Sequence, residues 1–125
     1  MILQRYIRIA FLALFCLTAT AIVALALTPS PPALGIGDKI EHVVAFGCLS
    51  LLSLIAFPKQ RKLVLALALA TLGALIECLQ LLPALRRSSD GIDWIADCAA
   101  IGIVFGSAAA MQRLEGWRSL ASTRE

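Results

Sequence analysis

Charge is scarce in this chain, and histidine scarcer still. Only 15% of the 125 residues are charged, and His42 is the single histidine. An ordinary soluble domain carries about 25% charged residues. With 60% of its residues hydrophobic, a chain this short has too little interior to hide its apolar surface from water. Lipid must supply part of its solvent. Other absences close other routes. No basic stripe with interleaved aromatics is present, and the net charge is only +3, which argues against a nucleic-acid partner. The four cysteines, Cys16, Cys48, Cys78 and Cys98, sit inside apolar runs with no C-x-x-C or other metal spacing between them. They read as small hydrophobic packing residues. Neither strand-type alternation nor a repeat of ~20–50 residues is visible. No Gly-x-Ser-x-Gly elbow activates Ser88 or Ser89 as a nucleophile.

What is present is a series of long apolar runs. A helix crossing the bilayer core needs ~20 mostly apolar residues. Residues 9–27 are uncharged throughout and end at a stretch holding Pro29, Pro31 and Pro32. The run is longer than the ~7–15 apolar residues of a signal peptide, so a retained anchor is expected. A second span is expected over about 40–57, stopping at Pro58. A third is expected over about 63–82, stopping at Pro83, and a fourth over about 92–111. Short connections favour antiparallel neighbours. The sequence therefore predicts a single all-α transmembrane domain over 1–125, a compact antiparallel bundle of four transmembrane helices.

Lys and Arg near span ends prefer the cytoplasmic side. Four spans put both termini and the 58–62 connection on one side. That side holds Arg5, Arg8, Lys59, Arg61, Lys62, Arg113, Arg118 and Arg124, which predicts cytoplasmic termini. The acids divide the other way. Asp38, Glu41, Glu77, Asp90, Asp93 and Asp97 gather at the outer end with His42 and Gln80. The three outer cations, Lys39, Arg86 and Arg87, go against the topological preference.

Several of these groups lie inside helices. Glu77 is five residues before the end of the third span, or roughly 8 Å below it at 1.5 Å per residue. A carboxylate costs ~2.5–3.5 kcal/mol at a helix centre and less near the interface, and it normally faces the bundle interior. Asp38 and His42 are i, i+4. Glu77 and Gln80 are i, i+3. Asp93 and Asp97 are i, i+4, with Asp90 one turn earlier and suited to a helix N-cap. Three polar stripes on three packed helices most simply face one another. Gly73, Gly102 and Gly106 permit close helix contact, the last two either within the bundle or between copies.

Four chemistries fit such a cluster. In acid–base work, His42 would pair with Glu77. Asp38, His42, Glu77, Asp93 and Asp97 form an oxygen-rich ligand set with one nitrogen, better matched to Mg²⁺ or Mn²⁺ than to structural Zn²⁺. Without a signature such as H-E-x-x-H, no cofactor is assigned. Recognition of an anionic headgroup would use Lys39, Arg86 and Arg87. Proton or ion movement is disfavoured, because the inner halves of the spans lack matching polar stripes. Against all four stands an interhelical clamp with no ligand, in a module that contacts another envelope protein.

The motifs resemble those of VanZ-like membrane proteins. "DKIEHVVAFGCLSLL" resembles the Asp-Lys-x-x-His start of that family's second span, and "ALIECLQLL" its Glu-x-x-Gln in the third. "RRSSDGIDWIADCAAIGIVFG" resembles its Arg-x5-Asp-x3-(Asn/Asp) stretch leading into a Gly/Ala-rich fourth span. Asp97 stands where many members have Asn, and Ala100 where a Gly is frequent. The resemblance covers residues 37–107 and implies a four-helix protein of the bacterial inner membrane. Its name-giving member is linked to glycopeptide resistance without an established reaction. The expected site is then His42 and Glu77 as an acid–base pair, with Asp38, Lys39, Gln80, Arg87, Asp93 and Asp97 holding a ligand. That ligand is expected to be an envelope lipid, with an anionic headgroup, or a cell-wall precursor.

Overall fold

The computed structural model of the chain describes residues 2–29, 35, 37–86 and 89–122, the last three as backbone only. The described residues form four α-helices: α1 (Ile2–Ala26), α2 (Asp38–Ala56), α3 (Lys62–Gln80) and α4 (Gly91–Ser122). Each is long and apolar enough to cross a membrane, and there is no strand among the described residues.

Local chemistry sets the helix ends. Pro29 follows α1, and Pro58 follows the residue that closes α2, because the residue before a proline is driven out of the α region. Gly37 precedes α2 at φ 92°, where a side chain would strain the backbone. Pro83 opens a short 3-10 turn, Pro83–Leu85, which ends on left-handed Arg86. Asp90 caps α4. Its Oδ1 accepts from the Ile92 N–H at 2.9 Å, and its carbonyl accepts from the Asp93 N–H at 2.8 Å.

Two helices outrun the expected spans. α1 starts at Ile2 rather than near Ile9. α4 runs on to Ser122, eleven residues past Met111. Hydropathy sees only the part that crosses lipid, whereas Gln112, Arg113, Leu114 and Glu115 are good helix formers.

Contacts between helices fix the arrangement. Lys39 and His42 of α2 meet Asp90 and Asp97 at the start of α4, so these two helices run parallel. Glu77 near the end of α3 meets the same region, whereas Lys62 at its beginning donates to Gln112 of α4, so α3 runs antiparallel to α4. The Gln80 Nε2–H donates to the carbonyl of Ala26, the last residue of α1, at 2.9 Å. This is the up-down-up-down order of a four-helix bundle.

The core joins Phe46 and Leu49 of α2, Leu69 and Ile76 of α3, and Ala100, Ile101 and Phe105 of α4. α1 is peripheral. None of its residues is buried, and it lays Phe15, Ala19, Ile22, Val23 and Ala26 against the core. Large apolar side chains such as Leu17, Leu51, Leu67 and Ile103 are exposed on the outside. So contiguous an apolar exterior is a lipid-facing surface, not that of a domain dissolved in water.

One packing expectation is corrected, and another is narrowed to contact between copies. Cys16, Cys48 and Cys78 are exposed rather than packed inside, and all four cysteines are unbridged. Gly102 and Gly106 face open space within 4 Å, so they bring no helix of this bundle close. Gly73 does: a Cβ there would lie 2.8 Å from Asp97 Oδ2 and 3.3 Å from the Trp94 ring. The missing side chain is what lets α4 place a carboxylate against α3.

Candidate functional site

The first turns of α2 and α4 and the last turns of α3 make one polar end. Asp38 and His42 lie one turn apart on α2, with His42 partly buried and Asp38 exposed. His42 Nδ1 lies 2.9 Å from Asp97 Oδ1. The ring N–H donates to the carboxylate, which leaves Nε2 at the opposite edge of the ring. Asp97 is 1% exposed and Asp93 3% exposed, so the i, i+4 stripe of α4 faces inward. Lys39 Nζ lies 3.3 Å from Asp90 Oδ2 and 3.5 Å from Asp93 Oδ1. One ligand atom from each of Asp38, His42 and Asp93 lies within 4.8 Å of the others.

Glu77 takes a different set of partners. Its Oε2 accepts from the Ser89 hydroxyl at 2.8 Å and from the Asp90 backbone N–H at 3.0 Å. His42 and Glu77, expected as an acid–base pair, thus have separate immediate partners: His42 bonds Asp97, and Glu77 holds the loop that leads into α4. Gln80, expected among the ligand-holding residues, gives its amide N–H to the end of α1. Three residues along a helix is a rotation of about 300°, enough for Glu77 to turn to α4 while Gln80 turns to α1. Arg87 lies outside the described residues.

Asp90 does more than cap α4. It links all three helices of this end, through its N–H to Glu77, its Oδ2 to Lys39 and its Oδ1 to Ile92. The Ile92 N–H, helped by Lys39, holds its carboxyl below the usual carboxylate range. Trp94 carried no signal in the sequence, and Ser89 was weighed there only as a nucleophile. The Trp94 indole N–H donates to the Ala70 carbonyl of α3 at 3.0 Å.

Part of the cluster's bonding capacity is unspent. Glu77 Oε1, Asp93 Oδ1 and Asp97 Oδ2 are buried and accept no hydrogen bond. Buried polar groups are otherwise almost always paired. The acids also outnumber the cations: Asp38, Glu77, Asp90, Asp93 and Asp97 face Lys39 and His42 among the described residues. The arrangement is suited to receiving hydrogen-bond donors or positive charge, and its histidine, backed by a carboxylate, is suited to holding or moving a proton.

Comparison with protein-family models, curated proteins and solved structures returned no match.

Proposed function

We propose that the chain is a VanZ-like integral protein of the bacterial inner membrane. Both termini are cytoplasmic. Its polar end, at the outer face, binds the headgroup of an envelope lipid or cell-wall precursor. The observation that carries this reading is the trio of buried carboxylates, each with an oxygen that accepts nothing. Burying a carboxylate costs ~2.5–3.5 kcal/mol at a helix centre. A side-chain hydrogen bond within a membrane returns on average only ~0.6 kcal/mol. The bond from His42 to Asp97 does not by itself offset that cost, and all three acids keep an oxygen beyond what Ser89, Asp90, Lys39 and His42 engage by hydrogen bond, so we read them as serving something besides cohesion. Headgroup hydroxyls or amines would fill the vacant acceptors. Lys39, and Arg87 by the family resemblance, would hold an anionic group. His42 with Asp97 would be the acid–base element if the ligand is also processed.

The rival is a scaffold whose polar cluster only locks the helices, with an envelope protein or a second copy as its partner. The bonds from Glu77 to Ser89 and Asp90, and from Gln80 to Ala26, favour it. Glu77→Gln separates the two readings, because it keeps an acceptor oxygen and removes the charge. The measurements are unfolding in detergent and complementation of a deletion strain under envelope stress. Complementation lost with stability intact is the expected result. Proportional loss of both would leave the scaffold as the correct reading. A C-terminal tag accessible from outside the cell would reverse the orientation.

A further inference from the structure

The polar end carries a second feature, one that does not depend on any lipid. Asp38, His42 and Asp93 come from two parallel helices, and one ligand atom from each lies within 4.8 Å of the others. Two donors facing each other across an ion at ~2.0–2.4 Å stand about 4–5 Å apart, and a third stands closer to both, so separations within 4.8 Å are of the scale that one shared ion requires. Burial and bonding add a second observation. Asp93 is 3% exposed, and its Oδ1 accepts no hydrogen bond. The Lys39 ammonium stands off from it at 3.5 Å and is closer to Asp90.

We propose that Asp38, His42 and Asp93 form a binding site for one divalent transition-metal ion, with Asp97 as the residue that positions His42. Asp97 takes the Nδ1 edge of the ring. With the proton on Nδ1 the Nε2 lone pair is the one left for a metal, the carboxylate–histidine–metal arrangement of many metal sites. Two carboxylates with one imidazole suit Mn²⁺ or Zn²⁺. An all-oxygen set would favour Mg²⁺ or Ca²⁺ instead. The ion brings two positive charges to a cluster dominated by acids, and three protein ligands leave coordination positions for water or an anionic oxygen. Lys39 is then a competitor for Asp93, not a partner in the site.

The test uses the full chain in detergent, stripped with a chelator and titrated with Mn²⁺. Loss of the free-ion paramagnetic resonance signal reports uptake. One ion per chain is expected, with affinity falling at least tenfold in both Asp38→Asn and His42→Gln. Asp38 is exposed, so its variant keeps the bundle folded and carries the test should His42→Gln misfold. Lys39→Gln is expected to bind the ion as tightly or more tightly. Absence of uptake, uptake unchanged in Asp38→Asn or in a folded His42→Gln, or uptake lost with Lys39 would each overturn the site. Because the probe is the metal alone, its failure leaves the headgroup reading standing, and a failed headgroup assay leaves the ion site standing.

Discussion

The seam between α2 and α4 has two halves built on opposite rules. Toward the helix starts, Asp38, Lys39 and His42 face Asp90, Asp93 and Asp97. One or two turns further on, Phe46 and Leu49 share a core with Ala100, Ile101 and Phe105. The apolar half is almost free of unmet polar demand. Ser53 returns its hydroxyl to the Ser50 carbonyl at 2.7 Å, and the Ser50 hydroxyl is the one orphan there. The polar half leaves two carboxylate oxygens, Asp93 Oδ1 and Asp97 Oδ2, without a hydrogen bond, the first with only the Lys39 ammonium 3.5 Å away. Lipid tails are as apolar as leucine, so the apolar half coheres by close packing and not by escape from water. We expect that half to hold the helices by itself. The polar half is therefore better understood as cargo that the packed half keeps in register.

The comparison can be broken by cutting each half in turn. Phe46→Ala removes a side chain that is 1% exposed and is expected to cost up to ~3 kcal/mol, the low end for such truncations in water because the unfolded helices stay in lipid. Asp97→Ala leaves the His42 ring N–H without its acceptor and is expected to cost ~1–2 kcal/mol. Denaturant titration in mixed micelles measures both. If Asp97→Ala proved the costlier, the polar half would be the structural one and the division drawn above would fail.

A finer cut lies at the joint between the halves. Gly73→Ala would push a methyl group to 2.8 Å from Asp97 Oδ2, with an overpacking cost of ~1–3 kcal/mol. Paired with Asp97→Ser, which withdraws the carboxylate, the cost should fall by at least half. Additive losses in that double-mutant cycle would mean that Gly73 does not accommodate Asp97.

The smallest expected effect is acid sensitivity at the rim. The carboxyl of Asp90 is held below its ordinary value of 3.8. A lowered value means that its contribution is full above about pH 3.8 and is lost as the pH falls through the lower folded value. The group is partly exposed, so screening keeps the effect small. Unfolding of Asp90→Asn should be less pH-dependent than that of the parent below pH 4. An identical acid limb in the two proteins would remove Asp90 from the account.

The spans were legible because prolines and run lengths mark them, as Pro58 and Pro83 do. The facing of Asp38 with His42, and of Asp93 with Asp97, followed from a spacing of four. Partner choice did not follow. Whether His42 meets Glu77 or Asp97 depends on how far each helix is rotated about its axis. That rotation is set by contacts such as Gly73 against α4, which spacing within one helix does not encode. Gln80 turns to α1 for the same reason, since 60° of divergence from Glu77 is enough to reach another helix. The bond from Ser89 to Glu77 stayed hidden because a loop hydroxyl has no period to betray it. The polar tail of α4 was missed because hydropathy is blind to a helix once it leaves the lipid.

That tail has a mechanical consequence. α4 is one unbroken helix of 32 residues, about 48 Å long against a hydrocarbon layer of ~30 Å. It contains no proline. Its first turns carry Asp93 and Asp97, and its last described turns carry Trp117 and Arg118 on the opposite side of the bilayer. A rod of that length tilted by about 5° at one end moves the other by roughly 4 Å. α4 thus joins the acidic cluster to the far end of the bundle through a single rod, so a tilt of its first turns would be carried to its last.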